Sequence, residues 1–175
     1  KTMSVAQSLY EGVNLGKETE GLITYMRTDS INIEPTAIKN IRTFILEKFG
    51  EKYLPKSPNI YKTKAKNAQE AHEAVRPTNI SRAPDEIKDF LTNDQFKLYD
   101  LIWRRTLASQ FANMITKQTA IIIKTFPDYA LLKANYSQVI FQGFDILFPK
   151  KEDKNKSVPN IKIEEKLALN KLIPN

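Results

Sequence analysis

The apolar residues of this chain change period once, near residue 111, and a chain with two periods must build helices and strands as separate bodies of structure. Before that point Val5, Ala6, Leu9 and Val13 recur at three-four spacing and predict a helix over about residues 1–11. Ile38, Ile41, Ile45 and Phe49 form a second stripe, in a segment that starts at Pro35 and stops at Gly50. Phe96, Tyr99, Ile102, Trp103 and Leu107 form a third, opened by Thr92 and Gln95 at capping-box spacing. After residue 111, "TKQTAIIIKTF", "YALLKANY" and "SQVIFQGFDILF" are rich in β-branched and aromatic residues and are broken by Pro127, Asp128 and Gly143, which predicts antiparallel strands. The expected class is α+β: a helical domain over 1–111, an antiparallel β segment over 112–148, and a tail over 149–175 that holds the charged linker "PKKEDKNKSVPN" and a further strand over "IKIEEKLAL". A hinge near 111–115 is the expectation at the switch of period.

The connections carry the polar chemistry. "LITYM" (22–26) reads as a short strand or extended segment and "TDSIN" as a turn rich in hydroxyl and carboxylate caps. "LPKSPNIY" reads as irregular, and "NAQEAHEAV" (67–75) as a short helix closed by Pro77, whose ring disfavours α geometry at Arg76.

Composition narrows the function classes. Twenty-seven Lys and Arg against 20 Asp and Glu give a net charge of +7, which favours a polyanionic partner such as nucleic acid. The basic clusters "KTKAK" (62–66), "RR" (104–105) and "KKEDKNK" (150–156) are either phosphate contacts or solvated faces. The lack of cysteine excludes disulfides and Cys-ligated zinc and fits a reducing cytoplasm. No apolar run approaches the ~18 residues that a membrane-spanning helix needs. No P-loop, GxSxG or DxD pattern is present, and Arg76 stands where an HExxH motif would place its second histidine, so no metal ligands are assigned. A start at Lys1 and an end at "KLIPN" lead to the expectation that the chain is a piece of a longer protein.

In "GLITYMRTDSINI" (21–33), Tyr25 and Arg27 are two residues apart in an extended segment and so share a face. A phenol holds its proton up to a pKa near ~10 and needs a cation or base nearby to act as a nucleophile, and the Arg27 guanidinium can supply that charge to the phenol and to a phosphate. Thr28 can donate to phosphate or to the backbone, and Asp29 can orient a histidine or an arginine. Two readings stand side by side: a nucleophilic Tyr25, or a tyrosine that buries its ring at a strand end next to a capping turn. His72, the only histidine, would share a helical face with Arg76, either for phosphate or as a packing and capping pair.

Three blocks in order, "GLITYMRTDS", "YLP" (53–55) and "QEAHEAVRPT" (69–78), followed by "LYDLIWRRTLASQF" (98–111), resemble the bacterial DNA topoisomerases I, which are type IA enzymes. The resemblance covers most of residues 1–148. It implies that Tyr25 is the nucleophile that joins the 5′ phosphate of one DNA strand, with Arg27 stabilising charge on that phosphate. It also implies that Thr28, His72 and Arg76 bind DNA, with Asp29 supporting His72. The helical part would be the movable tyrosine-bearing domain, and the β part the start of the arch. The further implications are relaxation of negative supercoils without ATP, Mg2+ held by an acidic cluster outside this chain, DNA and the remaining topoisomerase domains as partners, a bacterial cytoplasmic location at the nucleoid, and an inactive fragment in isolation. The rival expectation is a non-catalytic basic module that binds DNA or a protein.

Overall fold

A computed structural model describes residues 1–61, 73–127, 130–148, 158–168 and 170–171. The chain divides into two compact units, Lys1–Ile115 with Phe141–Pro149, and Thr116–Ile140 with Lys150–Asn175.

The first unit is built on three helices whose ends are set by local chemistry. Helix α1 (Thr2–Glu11) buries Ala6 and Leu9 and stops at Gly12, whose φ of 135° few other residues adopt. Two short strands follow as an antiparallel hairpin, β1 (Val13–Asn14) and β2 (Thr19–Glu20), with Val13 opposite Glu20. Sequence spacing does not announce it, because two residues are too few to display a period of two. Helix α2 (Pro35–Phe49) begins as expected at Pro35, and the Glu34 carboxylate accepts the N–H groups of Thr36 and Ala37, both at 2.9 Å. Those are donors that the first turn leaves without intrahelical partners. Helix α3 (Asn93–Gln110) opens on the predicted reciprocal cap: Gln95 N–H donates to Thr92 Oγ1 at 3.3 Å and Thr92 N–H donates to Gln95 Oε1 at 2.9 Å.

The core of this unit gathers Leu9 from α1, Leu22 and Ile23 from the segment after β2, Ile41, Phe44 and Ile45 from α2, and Tyr99, Trp103 and Leu107 from α3. Burying each large apolar side chain stabilises the fold by ~1.5–3 kcal/mol. Two polar groups of the buried aromatic rings are matched: Trp103 Nε1–H donates to the Ile80 carbonyl at 2.9 Å and Tyr99 O–H to the Arg82 carbonyl at 2.9 Å. Burial pushes the Tyr99 phenol well above its ordinary range.

Two expectations in this unit need correction. "LITYM" is not a strand; it contributes a single antiparallel bridge, Ile23 to Pro77. The described end of "NAQEAHEAV", Glu73–Val75, is not helical, because its backbone is used across the chain: Ala74 N–H donates to the Asn32 carbonyl at 2.8 Å and the Arg76 carbonyl accepts from Thr24 N–H at 2.9 Å. Residues 67–72 of that segment lie outside the described residues.

In the second unit, β3 (Ile115–Lys124) pairs with β4 (Leu131–Phe141) as a two-stranded sheet. So short a connection joins antiparallel strands only, and Thr125 N–H closes it on the Ala130 carbonyl at 3.1 Å. "YALLKANY" and the start of "SQVIFQGFDILF" form one continuous strand rather than two. The rest of the latter is a 3-10 turn, Gly143–Leu147, that groups with the first unit. Its Phe144 N–H donates to the Ala112 carbonyl at 3.0 Å, while Ala112 N–H donates to the Tyr53 carbonyl at 2.8 Å. A side chain on Gly143 would meet the backbone of Ala112 and Asn113 at 2.5 Å. Residues 161–168 form no strand, and Ile163 there is almost fully exposed.

Candidate functional site

The segment that carries Tyr25 is pinned on both flanks. Leu22 N–H donates to the Leu9 carbonyl at the end of α1, at 2.7 Å, and Thr78 N–H donates to the Leu22 carbonyl at 3.0 Å. Thr78 Oγ1 donates to the Gly21 carbonyl at 2.8 Å. One residue before the tyrosine, Thr24 Oγ1 donates to the Ala74 carbonyl at 2.9 Å and accepts Arg76 N–H at 3.0 Å. These bonds fix the backbone against the 74–78 segment right up to Tyr25.

Beyond Thr24 the side chains alternate. Met26 turns into the core, and Tyr25 and Arg27 stand exposed on either side of it. The phenol ring meets Tyr10 edge to face, with centroids 5.3 Å apart. Thr28 then closes the turn, since its Oγ1 accepts Ser30 N–H at 3.0 Å, and Ser30 Oγ in turn accepts Asn32 N–H at 3.2 Å. The Thr28 hydroxyl thus serves the backbone while keeping its own proton to donate. Asp29 is exposed and makes no ion pair among the described residues. His72 lies outside the described residues.

The arginines separate sharply. Arg76 is held by Glu73 through two bonds of 2.9 Å and donates to the Pro77 carbonyl at 3.0 Å, so three of its five N–H groups are in use. Arg82 pairs with Glu20, and Arg42 donates to the Pro55 carbonyl at 2.7 Å. Arg104 forks onto Asp100 at 2.7 and 2.8 Å and reaches the Leu147 carbonyl, and Arg105 lies over the Phe148 ring at 5.4 Å. Within the "RR" cluster Arg104 ties α3 to the 3-10 turn, while Arg105 stays exposed beside Phe148. Of the six arginines, only Arg27 has no hydrogen bond, ion pair or ring contact among the described residues.

The site does not coincide with the polar groove of this unit. That groove, of about 750 Å³, runs between the start of α2 and residues 76–81, and neither Tyr25 nor Arg27 lines it. Glu34 and Glu47 on its walls oppose an anionic ligand. Among the described residues no three His, Asp or Glu side chains gather in a way that would hold a metal ion. Tyr25 and Arg27 thus expose a phenol and, two residues on, a guanidinium without a partner among the described residues, groups of the kind that can act on a phosphate ester. The spacing of Tyr25 and Arg27 was readable locally. Thr24 and Tyr10 were not, because Thr24 bonds residues distant in sequence and Tyr10 lies off its own helix's apolar stripe.

Comparison with known proteins places this arrangement. The family model described as DNA topoisomerase matches residues 1–174. DNA topoisomerase 1 of Rickettsia felis is 49% identical over 180 residues, covering 100% of this chain and 23% of its own length. The corresponding protein of Campylobacter jejuni is 44% identical over 172 residues, covering 98% of this chain and 24% of its own length. The structure of full-length topoisomerase I from Thermotoga maritima superposes with a TM-score of 0.77 at 36% identity, over 93% of this chain and 25% of that one. The chain thus spans about a quarter of the length of the relatives it matches.

Proposed function

Because the chain belongs to the bacterial type IA DNA topoisomerase family, we propose that it is the tyrosine-bearing part of a longer polypeptide that cuts and reseals one strand of DNA. In this reading the Tyr25 oxygen attacks a backbone phosphorus. The new bond joins the phenol oxygen to the 5′ phosphate, the bond from phosphorus to the 3′ oxygen breaks, and in balance the proton lost by the phenol is matched by one gained at the departing 3′ oxygen, which leaves as a hydroxyl. The ester conserves the energy of the broken bond, so the freed 3′ hydroxyl can reverse the step after a strand has passed, and negative supercoils relax without ATP. Arg27 meets the charge that builds on the phosphate oxygens. Thr28, Arg76 and His72 belong to the surrounding DNA surface, with Asp29 supporting His72.

The single observation that carries this reading is the contrast among the arginines: Arg42, Arg76, Arg82 and Arg104 are bonded to protein oxygens, while Arg27, two residues from the exposed Tyr25, makes no such bond among the described residues. The Mg2+ that the family implies is assigned to acidic residues elsewhere in the longer polypeptide. On the same reasoning the 175-residue chain alone does not relax supercoiled plasmid, and the working location is the bacterial cytoplasm, at the nucleoid.

The test uses the complete polypeptide and a single-stranded oligonucleotide. Tyr25→Phe is expected to abolish the covalent protein–DNA adduct and to leave non-covalent binding nearly intact. An adduct that survives in Tyr25→Phe refutes the assignment; binding without any adduct in the unmutated polypeptide favours the non-catalytic module.

A further inference from the structure

We infer that Tyr10 is a positioning residue for the Tyr25 ring, an inference that rests on Tyr25 being the nucleophile. The backbone before Tyr25 is held by hydrogen bonds, but those bonds end at Thr24 and leave the side chain of Tyr25 free to choose its rotamer. At 43% exposure, the phenol has little protein around it to make that choice. Its recorded ring contact is Tyr10, at 5.3 Å and an interplanar angle of 66°, the edge-to-face arrangement that aromatic quadrupoles favour.

The contact is built in by the backbone and is not a chance meeting of two surface rings. Tyr10 sits on the last turn of α1, off the stripe that buries Ala6 and Leu9, so its ring is directed away from the core. Gly21 lets the Tyr25 segment lie directly on that turn, since any Cβ there would stand 2.6 Å from the Tyr10 carbonyl oxygen. The Leu22-to-Leu9 hydrogen bond, at 2.7 Å, locks the same crossing one residue further along. In-line attack on phosphorus requires the phenol oxygen in one place, and a ring with several accessible rotamers spends part of its time elsewhere. Tyr10 removes some of those rotamers without touching the phosphate.

An edge-to-face pair is worth enough to change a rotamer population, and hence the cleavage rate, by roughly 2- to 10-fold. In the complete polypeptide, Tyr10→Phe keeps the ring and should form the adduct at close to the unmutated rate. Tyr10→Leu keeps a helix-compatible apolar residue but no ring, and should slow single-turnover adduct formation by that factor while oligonucleotide affinity is unchanged. In the 175-residue chain, ring-current shifts on the Tyr25 protons should persist in Tyr10→Phe and collapse in Tyr10→Leu, with circular dichroism showing that both variants remain folded. Any one of three results overturns the inference: an unslowed Tyr10→Leu, a slowing matched by lost affinity (which would make Tyr10 a stacking platform for a base), or a Tyr10→Phe as slow as Tyr10→Leu. Tyr25→Phe in the same series separates the two claims. An adduct that persists there removes the nucleophile reading, while the ring-current result still reports on the contact.

Discussion

Replacing Thr24 by valine tests whether the backbone before Tyr25 is pinned as described. Valine keeps the branched shape and removes only the hydroxyl, which donates to the Ala74 carbonyl at 2.9 Å and accepts Arg76 N–H at 3.0 Å. Both bonds are lost together, and the Ala74 and Arg76 groups, half-buried against this segment, are left short of partners. A net value of ~1 kcal/mol per bond gives a destabilisation of about 2 kcal/mol, since partial solvent access softens the penalty for the orphaned groups. For a body of this size that corresponds to a fall in Tm of roughly 6–10 °C. Thermal and urea unfolding of the 175-residue chain, followed by circular dichroism, would read it directly. Thr24→Ser retains the hydroxyl and should recover most of the loss. A Thr24→Val variant within about 0.5 kcal/mol of the parent, the range of an ordinary surface change, would refute the reasoning. So would a serine variant as damaged as the valine one.

Two further outcomes follow from the same crossing and from the helix that comes after it. Gly21→Ala places a methyl 2.6 Å from the Tyr10 carbonyl oxygen and should cost ~1–3 kcal/mol by forced displacement, seen as a lower urea midpoint; an unchanged midpoint would show that the close approach is not real. Glu34 is held below its ordinary value of 4.5, first by the Thr36 N–H and then by that of Ala37. A depressed carboxylate contributes stability that is fully present above 4.5 and is lost as the pH falls below it through the folded value. Glu34→Gln should therefore flatten the fall in urea midpoint between about pH 6 and about pH 3, and equal slopes in the two proteins would count against the cap.

How much could be read in advance differs from element to element. The start of α3 was legible because Thr92 and Gln95 bond each other three residues apart, and α2 because Pro35 and Gly50 bracket one stripe. The Glu34 cap was not, since glutamate is not among the residues that usually cap a helix start. That positions 25 and 27 share a face followed from alternation alone. Their setting did not: Thr24 finds its partners 50 and 52 residues away, and no local signal marks them. Arg76 illustrates the reverse case, in which a residue read as facing phosphate beside His72 proves to have most of its donors turned onto Glu73 and Pro77. The type of Arg76 was informative, while its engagement with Glu73 depended on a loop conformation that Pro77 and the crossing with Thr24 impose.

The first unit is discontinuous in sequence: the polypeptide departs after Ile115 and comes back at Phe141. At that junction one residue, Ala112, serves both neighbours, giving its N–H to the Tyr53 carbonyl and accepting the Phe144 N–H on its own carbonyl. The ribbon in between is thus an excursion with two roots in the body that it leaves. Residues can be gained or lost at its tip without a single core contact of the helices being redrawn, which lets evolution tailor its reach while the nucleophile's footing stays as it was.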